Sequence, residues 1–292
     1  MYGQVINHQN NTASSINDRK GETRAQANPV RVNSLRVIMT IARNAFREAV
    51  RDRVLYNLVV FVLLLTIGAI FLGELSAAQE AKIIVDLGLS AMLLFGTFIS
   101  IFVGVGLVYK EIERRTVYSI FSKPVGRGQF LVGKYLGLGL TLLVNVVIMG
   151  AGVSLALLYV KRGFDPLIFR IWPAILLIYM ELMILTAVAL LFSTFSSPAL
   201  SALLTFLIFI IGHFSADLKA FAASIEAAPA RFIFRALFYL LPNLSNFSYI
   251  TEAGHGLMPG SSTLLLSFLY TVAYCAALLS VSTLIFSRRN FK

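Results

Sequence analysis

Apolar residues along this chain fall into six long blocks, at 54–72, 87–108, 131–159, 171–192, 199–215 and 263–286. A helix needs about 20 predominantly apolar residues to cross the hydrocarbon core of a bilayer. The blocks therefore predict six transmembrane helices, the fifth short for a full crossing. The fold class implied is an all-α polytopic membrane protein. Ahead of the blocks, residues 33–53 show a different period. Leu35, Ile38, Ala42, Ala45, Phe46, Ala49 and Val50 share one helical face, and Arg36, Arg43, Arg47 and Arg51 lie opposite. This predicts an amphipathic helix, and two placements stand equally: along the membrane surface with its arginines near headgroups or a partner, or packed on the protein's own spans. Residues 1–32 are rich in Asn, Ser, Gln and charge without apolar period, and are expected to form a disordered cytoplasmic tail.

Between the fifth and sixth blocks, 216–262 is long and not uniformly polar. Arg231–Leu241 is apolar and aromatic, carries Phe232, Phe234, Leu237, Phe238 and Leu240, and is stopped by Pro242 and Asn243. Too short to span, it predicts an interfacial or re-entrant helix at the outer leaflet, or a helical cap outside it. Residues 54–292 thus form one six-span domain.

Composition supports the membrane assignment: 58% of residues are hydrophobic, 13% are charged, and mean hydropathy is +0.80. The net charge of +11 does not point to nucleic acid, because the basic residues flank apolar blocks and do not alternate with exposed aromatics. Their distribution sets orientation instead. Nine Lys and Arg lie in residues 1–53, six in 109–137 and three after the last block, against seven in all on the other side. By the positive-inside rule both termini face the cytoplasm, as expected for an inner (plasma) membrane protein. No cleaved signal peptide is expected, since the first apolar block begins near Val54 and is long enough to remain as a span. The lone Cys275 lies within an apolar block and suits a packing role.

The longest charged island between two apolar blocks is Tyr109–Gly137, YKEIERRTVYSIFSKPVGRGQFLVGKYLG. Glu111 precedes Arg114 and Arg115 by three and four residues, the favourable order for helical ion pairs, and Val117, Ile120 and Phe121 form an apolar edge. A short surface helix is predicted, ended by Pro124. Gly126 and Gly128 permit a turn, and Lys134 and Tyr135 mark the entrance of the next span as a cation snorkelling to the membrane surface and an interfacial ring.

Few groups here carry chemistry. Gly128–Tyr135, GQFLVGKY, matches the phosphate loop G-x-x-x-x-G-K-[ST] except at its last position, where Tyr135 replaces the small hydroxyl that reaches magnesium. Gly133 and Gly137, four apart, better suit close helix packing. His8, His213 and His255 lie apart from one another and from other ligands, and Met180 and Met183 suit core packing more than soft-metal binding. Glu181 is the exception. A carboxylate in the middle of the fourth block is costly unless it faces a cavity or a partner. It either lines a translocation path or holds helices together as a hydrogen-bonded or protonated acid.

The island resembles the characteristic element of type-2 ABC transporter permeases: an acidic pair, a Thr, an apolar helix, Ser-Lys-Pro, a basic turn, and Gly-Lys before the next span. The matching residues are Glu111, Glu113, Thr116, Ser122, Lys123, Pro124, Arg127, Gly133 and Lys134. The likeness extends to the N-terminal amphipathic helix, the Ser193–Pro198 turn and the outer segment ending in Leu241, Pro242 and Asn243, and so covers nearly everything after residue 32. In layout the chain is most similar to permeases of copper-enzyme maturation and gliding-motility systems. The resemblance implies that 109–130 supplies the coupling helix, with Glu111, Glu113, Arg114, Arg115, Thr116, Tyr118, Phe121, Lys123, Pro124 and Arg127 facing a cytosolic ATPase. It also implies a second permease copy or homologous half, ATP and Mg bound by the partner ATPase, no cofactor on this chain, no catalysis by it, and export. The competing expectations are an ATPase-independent secondary transporter and a non-transporting scaffold.

Overall fold

The computed structural model describes residues 34–49, 60, 61, 64, 65, 67, 68, 79–113, 126–215, 224 and 228–288. Every regular element among them is helical. In chain order they are α1 (Ser34–Ala49), α2 (Glu80–Glu113), α3 (Arg127–Val160), α4 (Leu167–Arg170), α5 (Trp172–Ser193), α6 (Pro198–His213), α7 (Ala228–Leu240), a 3-10 turn at Leu244–Phe247, α8 (Ile250–Gly254) and α9 (Ser261–Arg288).

Four segments are long and apolar enough to cross a membrane: Glu80–Gly106, Arg127–Val160, Leu167–Ser193 and Ser261–Arg288. They match the second, third, fourth and sixth apolar blocks. The fifth block forms α6, whose 16 residues rise about 24 Å, less than the roughly 30 Å of a hydrocarbon core. The first block lies largely outside the described residues, but Phe61 and Leu65 within it are buried in the core, and Phe61 meets Phe95 of α2 edge to face.

Helix α5 is apolar all round, which suits a helix enclosed by others. It packs against α2, α3, α6 and α9. Small residues set the closest approaches: Gly96 of α2 lies under Leu182 and Gly104 against Ala189, so α2 and α5 run side by side in the same direction. Gly139 of α3 lies under Met183. Methionine fills the irregular gap beside a glycine, as expected of an unbranched, deformable side chain.

Two expectations are refined. The surface helix expected at the start of the island is, through Glu113, the continuation of α2. Nothing between Leu107 and Glu113 breaks a helix, so the span extends past the apolar block. And α1 packs on the protein's own α3, burying Ala42, Ala45 and Ala49 while Leu35 and Met39 stay exposed.

Candidate coupling site

The start of α3 is where three elements meet. Gly126 precedes the helix, and its N–H donates to Gln129 Oε1 at 3.1 Å. This satisfies a donor that the first turn of a helix leaves open. The same Gln129 donates from Nε2 to Ser34 Oγ at 2.9 Å, tying the start of α3 to the start of α1. Arg127 reaches the opposite way. Its Nη1 donates to the carbonyls of Phe286 and Ser287, each at 2.8 Å. These belong to the last turn of α9, whose final carbonyls have no partner within the helix and favour a cation. Phe130 stacks on Phe286 with centroids 6.2 Å apart.

One and two turns further, α3 accepts α1 against its small residues. A Cβ on Gly133 would lie 2.7 Å from Ile41 Cβ, and one on Gly137 would lie 2.5 Å from the Ala42 carbonyl oxygen. Between them Lys134 is 4% exposed, pairs with Glu48 of α1 at 3.4 Å and lies over the Phe130 ring. The ammonium points inward here, against the expectation that it snorkels to the membrane surface. Its carboxylate partner explains the burial, because a buried charge is tolerated when paired. Gly128–Tyr135 lies wholly within α3. From Phe130 onward its amides are spent in the helical ladder, so it is not the strand-to-helix loop that cradles phosphate.

The rest of the expected coupling set divides cleanly. Glu111 and Glu113 lie in the last turn of α2, with side chains outside the described residues. Arg114, Arg115, Thr116, Tyr118, Phe121, Lys123 and Pro124 also lie outside them. The structure therefore defines the two ends of the 109–130 element, α2 at one and the Arg127 clamp at the other. The clamp itself has no sequence signal beyond an arginine after a glycine, because its acceptors are backbone carbonyls 159 and 160 residues away.

A family described as "ABC-2 family transporter protein" matches residues 39–291. The chain belongs to this family. An ABC-2 chain with four span-length apolar helices is a multi-pass membrane protein. Among proteins similar to it is the probable ABC transporter permease protein NosY of Pseudomonas aeruginosa, 31% identical over 126 residues, which are 42% of this chain and 46% of that protein. Another is the probable ABC transporter permease protein NosY of Stutzerimonas stutzeri, 26% identical over 132 residues, or 44% of this chain and 48% of that one. The matches span about half the length of these relatives.

Two other regions bear on function. At the far end of α6, Ser215 donates to Asn243 Oδ1 at 2.5 Å and Ser245 donates to the same oxygen at 2.7 Å. Tyr270 and Tyr274 of α9 hold this segment through the Asn243 N–H and the Leu240 carbonyl. Pro242 and Asn243 thus end α7 as the sequence anticipates, and they fasten the 3-10 turn after it to α6 and α9. Separately, an almost wholly apolar cavity of about 410 Å³ lies between α3, α5 and α9, lined by Tyr135, Tyr179, Met180, Met183 and Cys275 among others. Met180, Met183 and Cys275 are packing residues there. Among the described residues no three His, Cys, Asp or Glu come together at ligand spacing. Glu181 does not line this cavity: it is fully buried within the helix bundle.

Proposed function

We propose that this chain is the membrane-spanning permease subunit of an ATP-driven ABC transporter, working as an exporter with both termini in the cytoplasm and six spans. ATP and magnesium are bound and hydrolysed by a separate cytosolic ATPase, and this chain contributes no catalytic group. The ATPase docks on the 109–130 element, and a second permease copy or homologous half completes the complex.

The observation that carries this reading is the arrangement around the start of α3. A coupling element must pass the movement of a soluble motor to the spans without yielding, so each of its ends has to be joined tightly to a helix. One end here is continuous with α2. The other leads into α3, which is bonded to α1 through Gln129 and Lys134 and to α9 through Arg127. A push on the element would thereby reach α1, α2, α3 and α9 together. Membership of the ABC-2 family and likeness to proteins named as ABC transporter permeases support the same reading.

The test is purification of the tagged chain from its native membrane in mild detergent, followed by mass spectrometry of stoichiometric companions. A soluble ATPase is expected, and it should be lost when Glu111 and Glu113 are replaced together by lysine. Recovery of the intact membrane protein with no ATPase, under conditions that preserve other membrane complexes, would overturn the proposal.

A further inference from the structure

Glu181 lies near the middle of α5 with its side chain 1% exposed, and neither carboxyl oxygen has a hydrogen-bond partner. A carboxyl acting only as glue between helices would be bonded to the hydroxyls around it. The buried hydroxyls on the neighbouring helices do not bond it: Thr97 of α2 and Ser201 of α6 have side-chain oxygens with no partner among the described residues, and others are committed elsewhere. Ser100 of α2 and Thr186 of α5 bond each other at 2.8 Å, and Thr186 donates to the Leu182 carbonyl at 2.8 Å. Thr205 of α6 donates to Ser201 within its own helix.

What faces Glu181 is a ring nitrogen. His213 Nδ1, at the end of α6, stands 3.5 Å from Glu181 Oε1 and 3.3 Å from the Phe209 carbonyl. Among the described residues, other titratable groups on elements packed against α5 lie against partners of their own. Lys134 pairs with Glu48, Tyr135 faces the Met183 carbonyl and Tyr270 accepts from Asn243. Tyr274 bonds Leu240, Cys275 faces Tyr135, and Asp86 abuts Gly254 near the other end of α2. Tyr179 on α5 itself bonds Gly139. His213 stands beside a polar cluster: its side chain is 24% exposed, and two residues later Ser215 joins Asn243 and Ser245.

We propose that Glu181 and His213 form a proton-binding site inside the bundle, loaded from the membrane face that carries Asn243 and Ser245. His213 Nε2 takes a proton from water while Nδ1 gives its own to the Glu181 carboxylate. The imidazole returns to neutral as the other tautomer and the carboxyl becomes neutral, so one proton moves inward and charge is conserved. The 3.5 Å separation is long for a hydrogen bond, so a small approach of α6 to α5 completes the transfer. Uptake is thereby tied to relative movement of these two helices.

The test uses the full chain in lipid nanodiscs and the probe dicyclohexylcarbodiimide, which adds to carboxyl groups in their protonated form, with the adduct located by peptide mass spectrometry. In the unsubstituted protein the initial rate of Glu181 modification should fall with rising pH, approaching about tenfold per pH unit above the midpoint. Glu181→Gln should abolish that adduct. His213→Gln, recovered with the same elution volume, should shift the midpoint of that profile by about one pH unit, since the titratable ring that faces the carboxyl is replaced by a neutral amide. A rate independent of pH, no Glu181 adduct at any pH from about 5 to about 9, or an unchanged profile in His213→Gln would each overturn the proposal.

Discussion

Arg127 Nη1 lies 2.8 Å from the carbonyl oxygen of Phe286, and the Phe286 ring in turn stacks on Phe130, one turn after Arg127. The first turn of α3 and the last turn of α9, distant in sequence, thus share a polar and an aromatic contact. Arg127→Ala removes both carbonyl bonds, to Phe286 and Ser287, and takes one cation from the end of α9, where Arg288 remains. We expect a loss of about 1–2 kcal/mol of stability, read as a lower melting temperature in detergent. Arg127→Lys should recover part of the loss, because one ammonium reaches a carbonyl without the fork geometry of a guanidinium. Equal melting of Arg127→Ala and the parent protein would show that the clamp does not hold α3 to α9.

Gly137 and Gly106 test whether α1 is seated by a close approach. A Cβ on Gly137 would meet the Ala42 carbonyl oxygen, a backbone atom that cannot swing aside, whereas one on Gly106 meets nothing within 4 Å. Gly137→Ala should destabilise by about 1–3 kcal/mol and make α1 more open to proteolysis. Gly106→Ala should be neutral or stabilising by about 0.5 kcal/mol, because alanine loses less backbone freedom in a helix. Thermal melting and limited proteolysis of the two variants read the contrast directly.

Lys134 and Glu48 are unequal partners, the first buried at 4% exposure and the second 39% exposed. Removing the carboxylate takes a charge partner from a buried ammonium, whereas removing both charges leaves no buried ion at the contact. Glu48→Gln should therefore cost about 1–3 kcal/mol, discounted from the fully buried case because water already screens Glu48. The double variant Glu48→Gln/Lys134→Met should recover most of it. A double-mutant cycle on melting temperature reads the coupling, and purely additive losses would show that the pair contributes nothing.

Much of the fold was legible because membrane helices announce themselves by length and apolarity, and four of the expected blocks became span-length helices, with ends near those anticipated except that α2 begins at Glu80, ahead of its apolar block. Pro242 marked the end of α7 for a reason visible in sequence, as proline cannot continue a helix. Other features depend on partners that no local pattern encodes. Lys134 read as a cation at a span entrance because Glu48, which draws it inward, lies on a different helix. The amphipathic pattern of α1 showed that one face would be covered but not by what, and Ile41, Ala42 and Ala45, not Leu35 or Met39, made the close contacts with α3. Glu181 was conspicuous as a buried acid, yet its pairing with His213 required α6 to fold back along α5.

Asp165 gives the fold a small acid-dependent contribution outside the spans. Its Oδ1 accepts from the Leu167 N–H at 2.8 Å, and Lys161 lies 3.5 Å from the other oxygen. The backbone hydrogen bond first, and the lysine after it, hold its carboxyl below the usual aspartate range. A group whose folded value is depressed stabilises above its unfolded value, about 3.9 for aspartate, and that contribution is lost as pH falls through the folded value. Asp165→Asn should thus lower the melting temperature slightly at neutral pH and leave it unchanged at strongly acidic pH. A difference that persists at acid pH would trace to packing of the loop instead of ionisation.

Glu111 and Glu113 carry the most direct test of coupling, because they lie where α2 passes into the 109–130 element, beyond the span-length stretch that ends at Gly106. Replacing both by lysine changes the charge of the element by four units, since each substitution exchanges a negative for a positive group. Surface substitutions of this kind usually alter stability by less than about 0.5 kcal/mol, so the spans should fold and melt as before. A docking surface responds differently, because like charges placed across an interface repel and cost several kcal/mol. The double variant is expected to accumulate normally and elute as the parent protein does, while ATP hydrolysis by its partner no longer drives transport. Transport at the parent rate by a normally expressed double variant would place the ATPase contact elsewhere on the chain.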